Sequence, residues 1–98
     1  MIEIRYIWER WGKDLFISHQ EKIMLKVLSG GQDRSMKFHE LQKLLYQLGF
    51  QCRVKGDHFI YWKEGVDEII NIQPDGNMAK PYQVRQIRNI ILKYGLEV

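Results

Sequence analysis

Val54-Lys55-Gly56-Asp57-His58-Phe59-Ile60-Tyr61 carries the end of one strand, a tight turn and the start of a second strand. Upstream, Phe50, Cys52 and Val54 alternate with Gln51, Arg53 and Lys55. Downstream, Phe59 and Tyr61 alternate with His58, Ile60 and Trp62, the period of two of half-buried strands. Gly56-Asp57 has the composition of a two-residue hairpin loop, because glycine takes the positive φ required at the first central position of a type II′ turn. A loop of that length pairs Lys55 with His58. Lys55, His58 and, diagonally, Arg53 then share one sheet face, while Cys52, Val54, Phe59 and Tyr61 share the other. The first face is expected to be a site and the second a core.

Before this hairpin, Phe38, Leu41, Leu44, Leu45 and Leu48 recur at helical spacing, with Gly49 placed as the left-handed residue that ends the helix. His39 sits beside that helix's N-terminus, where a cap or a solvated residue is the ordinary reading, and it is given no chemistry. After the hairpin, Lys63-Glu64-Gly65-Val66 makes a second turn into Asp67 to Gln73, whose isoleucines at 69, 70 and 72 complete a three-stranded antiparallel meander. If Glu64-Gly65 is a two-residue loop, Asn71 faces His58 across the strands. Pro74-Asp75-Gly76-Asn77 is a turn, and Pro81 suits the first position of a last helix, which begins at Lys80 and ends at Gly95. Val84, Ile87, Ile90, Ile91 and Tyr94 form its apolar stripe, with Arg85 and Arg88 three apart on an adjoining face. The expected fold class is α+β: helix, three-stranded antiparallel sheet, helix. Two amphipathic helices flanking three strands bury both stripes on the same sheet face, which leaves the opposite face open.

Nearer the N-terminus, Ser18 and Glu21 match a capping box, and Ile23, Met24, Val27 and Leu28 give an apolar stripe that Ser29-Gly30-Gly31 stops. The small, polar segment from Gly30 to Ser35 reads as a linker, dividing an extension over 1–35 from a domain over 36–98. On that reading a chain starting at Ser35 folds and keeps its activity. Residues 1–17 fit two patterns: Ile2, Ile4, Tyr6 and Trp8 alternate as in a strand, and Ile4, Ile7, Trp8 and Trp11 fit a helical face. Trp8 and Trp11 read as packing residues of this extension rather than anchors for a partner.

At 98 residues the chain has room for one domain with a modest core. The formal charge of +3 suits a polyanionic partner without demanding one, since 15 basic residues face 12 acidic ones. Cys52, the single cysteine, cannot form an internal disulfide and occupies an inward strand position, so it reads as a small core residue in a reducing compartment. No run is long enough to span a bilayer, and Glu3, Arg5, Glu9 and Arg10 interrupt the apolar residues of the N-terminus, unlike a signal peptide. A soluble, cytoplasmic protein is expected. His19, His39, His58 and Cys52 lack the close pairings of a zinc site, and no phosphate loop follows a strand, so neither metal nor nucleotide cofactor is implied. Nucleophilic catalysis by Cys52 is disfavoured by its inward position. Of the chemistry-bearing residues His58 remains, and a lone histidine at a strand end is more often structural or solvated than catalytic.

Lys37-Phe38-His39-Glu40-Leu41 through Leu48-Gly49-Phe50, then Val54-Lys55-Gly56-Asp57-His58, then Pro81 through Lys93-Tyr94-Gly95-Leu96, resemble the HicA toxins of bacterial toxin-antitoxin pairs over residues 36–96. The resemblance implies a fold like the double-stranded RNA binding domain and a metal-independent endoribonuclease that cleaves messenger RNA, an mRNA interferase held inactive by a HicB-like antitoxin. It also implies a catalytic histidine within a Gly-Ser-His motif. Gly56 and His58 match that motif, so His58 takes the catalytic role by position. Asp57 stands in place of the serine, and Phe59 where many relatives carry a second histidine. In such a reaction His58 removes the 2′-hydroxyl proton, and Lys55 and Arg53 hold the charge that develops on phosphorus. Lys80, Arg85 and Arg88 would hold phosphates elsewhere along the RNA. The alternatives are a non-catalytic RNA-binding module of the same fold, or a plain interaction domain, in which these cations are a solvated surface.

Overall fold

The computed structural model describes residues 18–98; the alternative patterns over 1–17 and the roles of Trp8 and Trp11 lie outside the described residues. The order is α1 (His19–Ser29), a 3-10 turn (Asp33–Ser35), α2 (Phe38–Gln47), β1 (Gln51–Lys55), β2 (His58–Lys63), β3 (Val66–Ile72) and α3 (Pro81–Tyr94). This is the expected α+β arrangement of helix, three-stranded antiparallel sheet and helix, preceded among the described residues by α1 and the 3-10 turn.

Each helix boundary follows from its sequence. Ser18 Oγ accepts a hydrogen bond from the Glu21 amide at 3.2 Å, satisfying one of the donors that a helix N-terminus leaves free, and Gly30 at φ 74° closes the other end of α1. Glu40 Oε1 reaches back to the Lys37 amide at 2.9 Å at the start of α2. In α3, Gln83 does the same for the Lys80 amide at 3.2 Å, and its Nε2 donates to the Gln73 carbonyl at 3.1 Å. Gln83 is only 1% exposed, and these two bonds are what make a buried amide tolerable there.

The strands form one sheet in the order β1-β2-β3. Lys55 pairs with His58 across the Gly56-Asp57 turn, as the loop length dictates. Gly56 has φ 62° and no described non-glycine residue has a positive φ, which fits a type II′ loop and excludes I′. The second hairpin also closes with two residues, Lys63 pairing with Val66. Beyond it the register shifts, so that Tyr61 pairs with Ile70 and Ile60 with Asn71. Asn71 is therefore not directly opposite His58, as an unbroken ladder would have it. Residues 67–69 stand against Trp62 alone, and this irregularity slides β3 by two residues. A slide of two keeps every side chain on its original face.

Tyr61, Ile70 and Ile72 bury against Phe38, Leu41, Val84, Ile87 and Ile91 in a single core, and the Phe38 and Phe59 rings meet edge to face at 5.2 Å. Ile23, Met24 and Val27 of α1 belong to the same core. The segment between α1 and α2 is also tied down: the Arg88 guanidinium donates to both carboxylate oxygens of Asp33, at 2.8 and 3.2 Å, and to the Val27 carbonyl at 3.2 Å. Lys26 Nζ donates to the Ser35 carbonyl at 3.0 Å and pairs with Glu40 at 3.2 Å.

β1 corrects one expectation. Cys52 and Val54 point to the helical face, as the alternation requires, but both are exposed, Val54 by 55%. β1 is an edge strand, and the helical layer is centred on β2 and β3. Cys52 is thus a peripheral thiol beside the Tyr61 hydroxyl rather than a core residue. Burial first, and then the hydrogen bond with Cys52, hold that phenol protonated well above its usual range.

Candidate active site

The open sheet face carries Arg53 and Lys55 from β1, His58, Ile60 and Trp62 from β2, and Ile69 and Asn71 from β3, since paired residues share a face and neighbours at two-residue spacing stay on it. Gly56-Asp57 places His58 at the first position of β2, so the imidazole stands at the sheet's end with Lys55 directly across. Its side chain is 46% exposed. Its Nδ1 lies 3.0 Å from Asn71 Oδ1, and Nε2 lies 4.0 Å from Asp57 Oδ1 in the turn. Among the described residues neither Arg53 nor Lys55 has an ion-pair partner. Within the described residues, both cations are open to an anion brought to His58.

The other predicted cations separate. β3 ends beside His58, and the Gln83 to Gln73 bond fastens the start of α3 to that end of the sheet. Tyr94 at the far end of α3 accepts from the Asp67 amide, so α3 runs back along β3 and Lys80 lies at the histidine's end. Arg85 is exposed further along α3, in an open groove with Glu68, Tyr82 and Lys93. Arg88, expected beside Arg85 as a phosphate contact, is turned inward to Asp33 and the Val27 carbonyl and is largely buried. The i, i+3 spacing put the two arginines on adjoining faces, and one of those faces is where α1 packs. The spacing carries no sign of the Asp33 partner, 55 residues away.

Asn71 is the contributor that the residue patterns placed without giving it a task. Counting through the hairpins brings it near His58, and only the shifted register sets it diagonally, with its amide alongside the ring. Among the described residues no group of three His, Cys, Asp or Glu side chains gathers into a metal site.

The described residues thus form a small α+β domain with helices on one sheet face and, on the other, a histidine beside two cations and exposed apolar side chains. A family model described as the HicA toxin of bacterial toxin-antitoxin matches residues 38–94, more than half of the chain. The chain belongs to the HicA toxin family. No curated protein and no solved structure matches it. No described helix is long and apolar enough to cross a membrane.

Proposed function

We propose that this chain is a cytoplasmic endoribonuclease toxin that cleaves messenger RNA without a metal, with His58 as its catalytic residue, and that a HicB-like antitoxin restrains it. The observation that carries this reading is the juxtaposition of a half-exposed imidazole with Lys55 on the sheet face that no described helix covers, in a HicA-family domain. His58 Nε2 takes the proton from a ribose 2′-hydroxyl, and the 2′-oxygen forms a bond to the adjacent phosphorus. The bond from phosphorus to the 5′-oxygen breaks, and that oxygen takes a proton from the imidazolium. The products are a 2′,3′-cyclic phosphate and a 5′-hydroxyl. Charge builds on the non-bridging oxygens, where Lys55 across the ladder and Arg53 diagonally supply cations. Lys80 extends the cationic track from the same end of the sheet, and Arg85 continues it along α3.

The experiment is incubation of the purified protein with RNA in the presence of a chelator, beside a His58→Ala control. Cleavage by the parent, with cyclic-phosphate ends, and none by the variant is the expected result. Equal cleavage by both removes His58 from the chemistry. One observation favours a second reading, an RNA-binding module without catalysis: Asp57 puts a carboxylate 4.0 Å from Nε2, where the family motif has a neutral serine, and a carboxylate there opposes a bound phosphate. Salt-dependent RNA binding without cleavage is the result that selects it.

A further inference from the structure

We infer that Asn71 is a positioning residue that fixes the tautomer of His58, leaving Nε2 as the nitrogen that accepts a proton; this rests on the catalytic reading of His58 above. The carboxamide oxygen Oδ1 has no hydrogen to give, so the 3.0 Å contact requires the proton on Nδ1. A neutral imidazole carries one N–H, and its lone pair is therefore at Nε2. Among the described residues Nε2 meets only the turn carboxylate of Asp57, at 4.0 Å, too far for a hydrogen bond, so it is available to a ribose hydroxyl arriving on the open face.

The sheet is built to produce this contact. With an unbroken register Asn71 would stand directly opposite His58, where the short separation of facing β-carbons crowds an amide against the base of the ring. The slide of β3 puts Asn71 opposite Ile60 instead, and the diagonal separation suits an amide reaching the near nitrogen of the ring. Stability does not explain the contact, because Asn71 is exposed and a water-accessible hydrogen bond contributes little to folding. The acceptor is also neutral. It selects a tautomer without adding the negative charge that would favour imidazolium, and the first step needs the neutral ring. The charged groups around the ring are Asp57 in the turn and Lys55 with Arg53 on β1; β3 presents Asn71.

Nitrogen-15 spectra of the neutral protein, with His19 and His39 as internal references, read the tautomer directly. The parent is expected to show His58 protonated at Nδ1. Asn71→Ala is expected to shift it toward Nε2–H and to lower kcat about tenfold with KM unchanged, leaving the acid limb of the pH profile in place. Asn71→Asp keeps an acceptor and so keeps the tautomer, but its charge stabilises imidazolium and moves the acid limb to higher pH. A parent ring protonated at Nε2 overturns the inference, as does an Asn71→Ala variant with parental tautomer and kcat. Failure of the catalytic reading shows separately, as cleavage by His58→Ala at the parental rate, and does not alter the nitrogen spectra.

Discussion

At the scale of single residues, the site separates chemistry from folding. His58 is half exposed, its ring bonds to an exposed amide, and the turn that places it is fixed by Gly56 rather than by the ring. His58→Ala is therefore expected to abolish RNA cleavage while changing stability by no more than about 0.5 kcal/mol. Thermal unfolding beside the cleavage assay checks this, and a melting temperature lowered by many degrees would mean that the lost activity reports damage to the fold. The positions of His58, Lys55 and Arg53 were legible in the chain because a two-residue loop admits one pairing. The fate of Arg88 was not, because its partner Asp33 is brought near only when α1, the 3-10 turn and α3 meet. Spacing along a helix names a face. It does not say what that face touches.

The elements were legible wherever a hydrophobic period is closed by a residue with a geometric duty: Ser18 and Gly30 around α1, Pro81 and Gly95 around α3. Alternation along β1 assigned Cys52 and Val54 to a face correctly, but whether that face is covered depends on where the helices lie, and they stop short of the edge strand. Between elements, the Lys26–Glu40 pair joins α1 to α2 while Glu40 also caps α2. Burial alone would raise the Glu40 pKa, but the Lys37 amide and the Lys26 ammonium together hold it below the usual carboxylate value. A carboxylate depressed in the folded state adds stability above its unfolded pKa and loses it as pH falls through the folded one. Stability should therefore decline through the acid range below the ordinary glutamate pKa. Glu40→Gln keeps an oxygen for the cap and removes the charge, so it is expected to cost about 0.5–1 kcal/mol at neutral pH and to flatten that decline. Melting temperatures of both proteins from neutral to acid pH make the comparison, and parallel curves would show that Glu40 does not carry the dependence.

For the whole molecule, the proposed division at residue 35 meets a core that α1 helps to close, through Ile23, Met24 and Val27. Deleting 1–35 uncovers their partners and takes Asp33 from Arg88, so the shortened chain is expected to unfold at lower temperature than the parent or to be insoluble. An unchanged melting temperature would instead show a domain over 36–98 that is complete without the extension. The opposite side of the molecule poses the reverse problem, because nothing among the described residues covers Ile69, 64% exposed, or Trp62, 36% exposed, or forms an ion pair with Lys55 or Arg53. Exposed apolar side chains with two cations along the β1 edge of the same face suit a partner with an apolar centre and acidic groups on the side that meets β1. In a toxin-antitoxin family the expected occupant is the antitoxin, and seated there it would block access to His58 without touching the chemistry. Trp62→Ala and Ile69→Ser are each expected to weaken antitoxin binding by about tenfold or more, the effect of removing a central apolar anchor, while leaving RNA cleavage by the free toxin near the parental rate. Arg85→Ala, on the helical side, should bind antitoxin like the parent. Titration of the antitoxin against each variant decides it: parental affinity in both sheet-face variants would place the masking surface elsewhere, and inhibition would then have to reach His58 through a change in its surroundings rather than by occlusion.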